Sequence, residues 1–103
     1  MSIFGLFGKG TDMKEGLERY HRTKGAVLLD VRTKEEFAGG HIPGSQNLPL
    51  QQVDTCKYPK EKELFVYCQS GMRSRQACAR LKAMGYQATD LGGIVHFSGK
   101  LER

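Results

Sequence analysis

The sequence lacks any pair of cysteines at the spacing of a metal or redox motif. Its three cysteines, Cys56, Cys68 and Cys78, stand far apart, and their odd number leaves one thiol over. This excludes a secreted disulfide framework and a zinc site, and it predicts reduced thiols in a cytoplasmic protein. His21, His41 and His96 are isolated from one another and from the cysteines, so no metal and no cofactor is predicted. Long hydrophobic runs are missing too. The apolar N-terminal segment, residues 1–10, is too short for a membrane span and lacks the basic lead and cleavage site of a signal peptide. It is expected to pack on the domain or a partner rather than on a membrane. Gly8-Lys9-Gly10-Thr11 falls short of a phosphate-binding loop, which needs glycine at the position of Ile3 and Ser or Thr at that of Gly10. No block of Lys and Arg interleaves with aromatics. The 16 basic residues, against 11 acidic ones, are spread along the chain. The net charge of +5 therefore reads as a solvated basic surface with a bias toward small anions, not as a nucleic-acid interface.

What the chain does have is glycine, 13 in 103 residues, a length that suits one domain with a single core. Glycine at this level suggests an α/β chain with many tight turns. Asp12-Met13-Lys14-Glu15 has capping-box spacing, and Met13, Leu17 and Tyr20 follow at helical intervals; a first helix is predicted to about Arg22. Ala26-Val27-Leu28-Leu29 reads as a buried strand ending at Asp30. Thr33-Lys34-Glu35-Glu36 opens a short helix that Gly39-Gly40 ends. Asn47-Leu48-Pro49 is too short and proline-flanked for a long strand, and Gln51 to Thr55 suits a helical turn. Leu64-Phe65-Val66-Tyr67 is a second buried strand, Ser74 to Met84 a helix capped by Gly85, and Gln87 to Leu91 a last strand. Strands alternating with helices predict a small parallel sheet covered on both faces, with sites beyond the carboxyl ends of its strands. Asp30 and Cys68 both fall at such ends.

The stretch Cys68-Gln69-Ser70-Gly71-Met72-Arg73-Ser74 carries the chemistry. A cysteine between a strand end and a helix N-terminus sits where backbone N–H groups and the helix dipole converge, which favours the thiolate. Gly71 is expected to take a positive φ as the backbone curls around the sulfur. Arg73 and Arg75 add positive charge, and no general base is required. Cys78 lies on the apolar face of its helix and reads as core. Cys56, among charged residues, reads as a spare surface thiol or a slow resolving partner.

With these pieces in order, the chain resembles the rhodanese domain, and among rhodanese domains the single-domain sulfurtransferases. The resemblance is carried by Leu29-Asp30-Val31-Arg32, Glu35-Glu36-Phe37, Gly40-His41-Ile42-Pro43-Gly44-Ser45, Asn47-Leu48-Pro49, the Cys68 loop and Leu91-Gly92-Gly93-Ile94. It implies one domain over residues 11–103, with a five-stranded parallel sheet and helices on both faces. It also implies a Cys68 thiolate that takes a sulfane sulfur from thiosulfate or a persulfide donor, and a thiol, cyanide or protein acceptor that removes it. Gln69, Ser70, Gly71, Met72, Arg73 and Ser74 would form the substrate-binding loop, with Arg73 on the donor's oxygens. Asp30 and Arg32 would support the site in a network with Glu36 and His41. Phosphatases and arsenate reductases of the same fold look like His-Cys, five residues and Arg. Here Tyr67 stands for the histidine and four residues separate Cys68 from Arg73, so sulfur transfer is expected. A non-catalytic rhodanese-like interaction module is the other alternative, and retention of Cys68 argues against it. Phe97 stands where tryptophan is common in the family.

Overall fold

The computed structural model describes residues 12–103; the N-terminal segment considered above lies outside them. Helix α1 (Met13–Arg22) starts at Asp12, whose carboxylate accepts from the Glu15 amide. Strand β1 (Val27–Asp30) leads to α2 (Lys34–Gly39), which opens on a complete Thr33/Glu36 capping box and ends on Gly40. After the two-residue strand β2 (Gln46–Asn47) comes a 3₁₀ helix (Leu50–Thr55), then β3 (Glu63–Cys68), α3 (Met72–Ala83) and β4 (Gln87–Gly93). A 3₁₀ turn at Ile94–His96 follows.

The sheet order is β2-β1-β3-β4, with every pairing parallel. All carboxyl ends therefore lie on one edge. The sheet has four strands rather than five. The remaining extended contact among the described residues is a single antiparallel bridge between His41 and Glu102. Pro43 and Pro49 flank β2 and keep it short, since proline donates nothing to a ladder.

Alternation along β3 builds a core on each face. Leu64, Val66 and Cys68 join Ala77, Cys78 and Leu81 of α3 and Val53 of the 3₁₀ helix. Phe65 and Tyr67 join Met13 and Leu17 of α1, with Leu28 and Ile42. Helices thus cover both faces, and Cys68 belongs to the face that α3 covers.

Two boundaries differ by two residues from the sequence reading. Helix α3 begins at Met72 rather than Ser74, because Gly71, at φ +110°, turns the chain directly into the helix. Strand β4 runs on to Gly93 because a bulge interrupts its pairing: Val66 faces Asp90, yet Tyr67 faces Gly92. The extra residue is absorbed by Gly92 at φ +85°, whose N–H donates to Asp90 Oδ1 at 2.8 Å. Cys56 is also corrected. It is buried in the α3-side core rather than exposed, beneath Tyr86, whose hydroxyl donates to the Cys56 and Tyr58 carbonyls.

Candidate active site

Cys68 ends β3, and α3 begins four residues later at Met72, so sulfur and helix N-terminus share one edge of the sheet. Gly71 occupies the N-cap position and has no side chain with which to cap the helix. The Cys68 sulfur does so instead. It accepts from the Gly71 amide at 3.0 Å and from the Ser74 amide, third in the helix, at 3.3 Å. The Met72 and Arg73 amides, the first two of α3, have no protein acceptor among the described residues. An anionic sulfur here meets converging N–H groups and the positive end of the helix dipole. Cys68 as a residue is only 1% exposed, so a group that reaches its sulfur must present a slim terminal atom.

Three residues hold this loop: Asp90, which the sequence reading passed over, and Gly93 and Glu36, which it named without these contacts. The Ser74 hydroxyl donates to Asp90 Oδ1 at 2.7 Å and lies 3.1 Å from the Gly71 carbonyl it also faces. Asp90 thereby ties the start of α3 to the bulge of β4. Gly93 pairs with Cys68 in register. A Cβ there would lie 2.4 Å from the Gln69 carbonyl oxygen and 2.7 Å from the Ser70 Cα, so the loop seats against bare backbone. Glu36 is the third. It takes Arg73 Nη1 at 2.8 Å and Nη2 at 3.1 Å while accepting from the Thr33 amide at 2.8 Å. The Arg73 hydrogen bonds hold the Glu36 carboxyl down at about 2, and the Arg73 guanidinium is raised in turn. The sequence offered Glu36 as the Glu of a capping box and, through the resemblance, as a neighbour of Asp30 and Arg32, but not as the partner of Arg73.

Asp30 and Arg32 form a buried pair on the other side of the loop. Asp30 is fully buried and Arg32 is 5% exposed. Arg32 Nε donates to both Asp30 oxygens at 3.0 Å and Nη2 to Oδ2 at 2.7 Å. The same Nη2 reaches the Gly40 carbonyl at 2.7 Å, and Nη1 reaches Gln69 Oε1 at 3.4 Å. The pair thus braces the Cys68 loop against the end of α2, since a buried charge left without partners would be costly. Glu36 and His41 lie outside this network. Glu36 serves Arg73, while His41 stacks on Phe37 and its Nδ1 contacts the Phe37 carbonyl at 2.8 Å. Tyr67, at the position before the cysteine, is a structural group. Its hydroxyl accepts from the Ile42 amide and contacts Ser45, and burial pushes it up to about 12.

Of the loop residues named from sequence, Gly71 and Ser74 touch the sulfur, Gln69 meets Arg32, and Arg73 meets Glu36. The Met72 side chain points outward, 70% exposed. Beside the loop opens a groove of about 420 Å³ lined by Arg32, Glu35, Glu36, Gln69, Val95 and Leu101, among others.

A parallel sheet with helices on both faces and a cysteine loop at its carboxyl edge defines a class of α/β proteins whose cysteine sulfur sits among main-chain amides at a helix N-terminus. Residues 12–100 match the rhodanese-like domain family, and the chain belongs to that family. A protein of Allochromatium vinosum named sulfurtransferase is 39% identical over 82 residues, covering 76% of this chain and 77% of its own length. The adenylyltransferase and sulfurtransferase uba4 of Ogataea parapolymorpha is 32% identical over 96 residues, of which the chain spans 25% of the relative's length. The crystal structure of a rhodanese-like domain protein from Staphylococcus aureus superposes with a TM-score of 0.78 at 29% identity, covering 92% of this chain and 97% of that one. The structure described as rhodanese with anions from Escherichia coli gives 0.68 at 30% identity, over 76% of this chain and 98% of its own. These relatives place the chain in a sulfurtransferase-like class.

Proposed function

We propose that the protein carries sulfane sulfur as a persulfide on Cys68. The Cys68 thiolate attacks the outer sulfur of thiosulfate or of a persulfide, a Cys68 S–S bond forms, and the donor's sulfur–sulfur bond breaks with its electron pair leaving on sulfite or on the donor thiolate. A thiophilic acceptor then attacks the outer sulfur, the Cys68 thiolate leaves, and the site is restored. The observation that carries this reading is the pair of unengaged amides at the start of α3. With Gly71 and Ser74 already on Sγ, the Met72 and Arg73 N–H groups remain for the outer sulfur. That sulfur would stand only about 2.05 Å from Sγ, a reach that suits a short loop. A transferred phosphoryl group, with three equatorial oxygens, needs a wider bowl.

Intact-mass measurement after exposure to a sulfane donor tests it. The wild type should gain one sulfur atom, lost again on reduction. Cys68→Ser should gain none and should form no thiocyanate from thiosulfate and cyanide. A wild type that takes up sulfur from no donor at all overturns the proposal.

A further inference from the structure

Arg32 and Arg73, the two arginines whose guanidinium groups are fixed around the Cys68 loop, are both committed to carboxylates. Arg73 is held by both oxygens of Glu36, and Arg32 by both oxygens of Asp30. The charged side chains lining the groove beside Cys68 are one arginine, Arg32, and two glutamates, Glu35 and Glu36. The rest of the lining includes Ile94, Val95 and Leu101, with Val95 and Leu101 exposed. A groove whose one arginine is already paired, with a spare carboxylate and apolar walls, suits an organic group. It is poorly made for a small dianion. Thiosulfate carries two negative charges to an already anionic thiolate, whereas an alkyl persulfide carries one, on the sulfur that the loop amides receive. At about 420 Å³ the groove is also in the range that holds an organic ligand.

We infer that this groove selects alkyl persulfides over thiosulfate, with Glu36 the specificity-determining residue because it neutralises Arg73. The inference rests on the sulfur-transfer reading above. In the favoured step the Cys68 thiolate attacks the terminal sulfur of R–S–S⁻, the donor S–S bond breaks, and R–S⁻ leaves from the groove. Charge is conserved, and no oxidant or reductant enters. The organic part R is neutral or cationic overall, as in cysteine persulfide free in solution or within a peptide.

The test is the ratio of kcat/KM for thiosulfate to that for cysteine persulfide, read from persulfide formation on Cys68. In Glu36→Gln the capping hydrogen bond to Thr33 can persist, since glutamine serves the same box, while Arg73 is released from its counter-charge. The ratio should rise by about fivefold, the scale of a half-exposed charge. Glu35, whose side chain makes no hydrogen bond among the described residues, gives a second variant, Glu35→Gln, which should move the ratio the same way by less. Arg73→Gln should lower it. A persulfidated peptide run alongside free cysteine persulfide tells the two sources apart. If Glu36→Gln does not fold, the other two variants still decide the matter. Persulfide formed equally well from both donors, with a ratio unmoved or reversed in the variants, overturns the selectivity and leaves sulfur transfer standing. Absence of Cys68 persulfide from every donor instead removes the underlying reading.

Discussion

Gly93 and Gly71 serve one loop for different reasons. Gly71 needs its positive φ to turn β3 into α3, a conformation that L side chains adopt only with strain. Gly93 carries no such φ and is required by contact alone: the space for its Cβ is already filled by the Gln69 carbonyl and the Ser70 Cα. Backbone atoms cannot swing away as a flexible side chain does, so an added methyl must displace the loop from β4. Gly93→Ala should retain the helix and sheet content of the wild type yet lose about a hundredfold in kcat/KM, the scale of misplacing reacting groups by about 1 Å. Circular dichroism with steady-state kinetics checks this, and wild-type turnover in that variant would show that the loop tolerates the shift. The requirement at Gly71 was legible in the sequence, because the conformation follows from a loop that must curl around its own cysteine. The requirement at Gly93 was not. The glycine motif was visible, but its contact partner lies across the sheet, 23 or 24 residues earlier in the chain.

Helix α2 acts through its first turn. The Thr33/Glu36 capping box was readable as a local pattern, and it formed as expected. The same Glu36 carboxylate also clamps Arg73 at the start of α3, a pairing between residues 37 apart that no local pattern announces. In place of the Asp30, Arg32, Glu36 and His41 network expected from sequence, two separate ion pairs flank the loop. The start of α3 was misplaced for a related reason. Its cap is a sulfur from the preceding strand, not a side chain at the N-cap. The clamp has a pH signature. Arg73 holds the Glu36 carboxyl at about 2 in the folded protein, below its ordinary 4.5, so the unfolded chain takes up a proton first as acidity rises. The stability from this pair is therefore complete above about pH 4.5 and is lost as pH falls through about 2. Urea midpoints of wild type and Glu36→Gln should differ by a constant amount from neutrality down to about pH 5 and converge toward about pH 2. A gap that does not change with pH would assign the Glu36 contribution to packing and hydrogen bonding rather than charge.

The sheet and its two cores decide which cysteine meets the main-chain amides. The α/β layering and the common edge for Asp30 and Cys68 were legible, because alternating strand and helix signals force parallel connections. The missing fifth strand was not, since the count came from the family resemblance and local patterns cannot tell an isolated bridge from a strand. Cys56, Cys68 and Cys78 all belong to the core beneath α3, yet only Cys68 lies at the carboxyl edge, where main-chain amides meet its sulfur. Cys78 sits mid-helix, and burial pushes its thiol up to about 12. Cys56 closes the end of the 3₁₀ helix and is buried with Tyr86. Ionised sulfur is the reactive form, so brief iodoacetamide treatment of the native protein at neutral pH should alkylate Cys68 first and leave Cys56 and Cys78 unmodified. All three should react once the chain is denatured. Peptide mapping by mass spectrometry reads this directly. Labelling of Cys78 at a rate matching Cys68 would mean that the α3-side core opens as readily as the loop, and a sulfur carried on Cys68 would then have a second thiol within the same molecule to attack it.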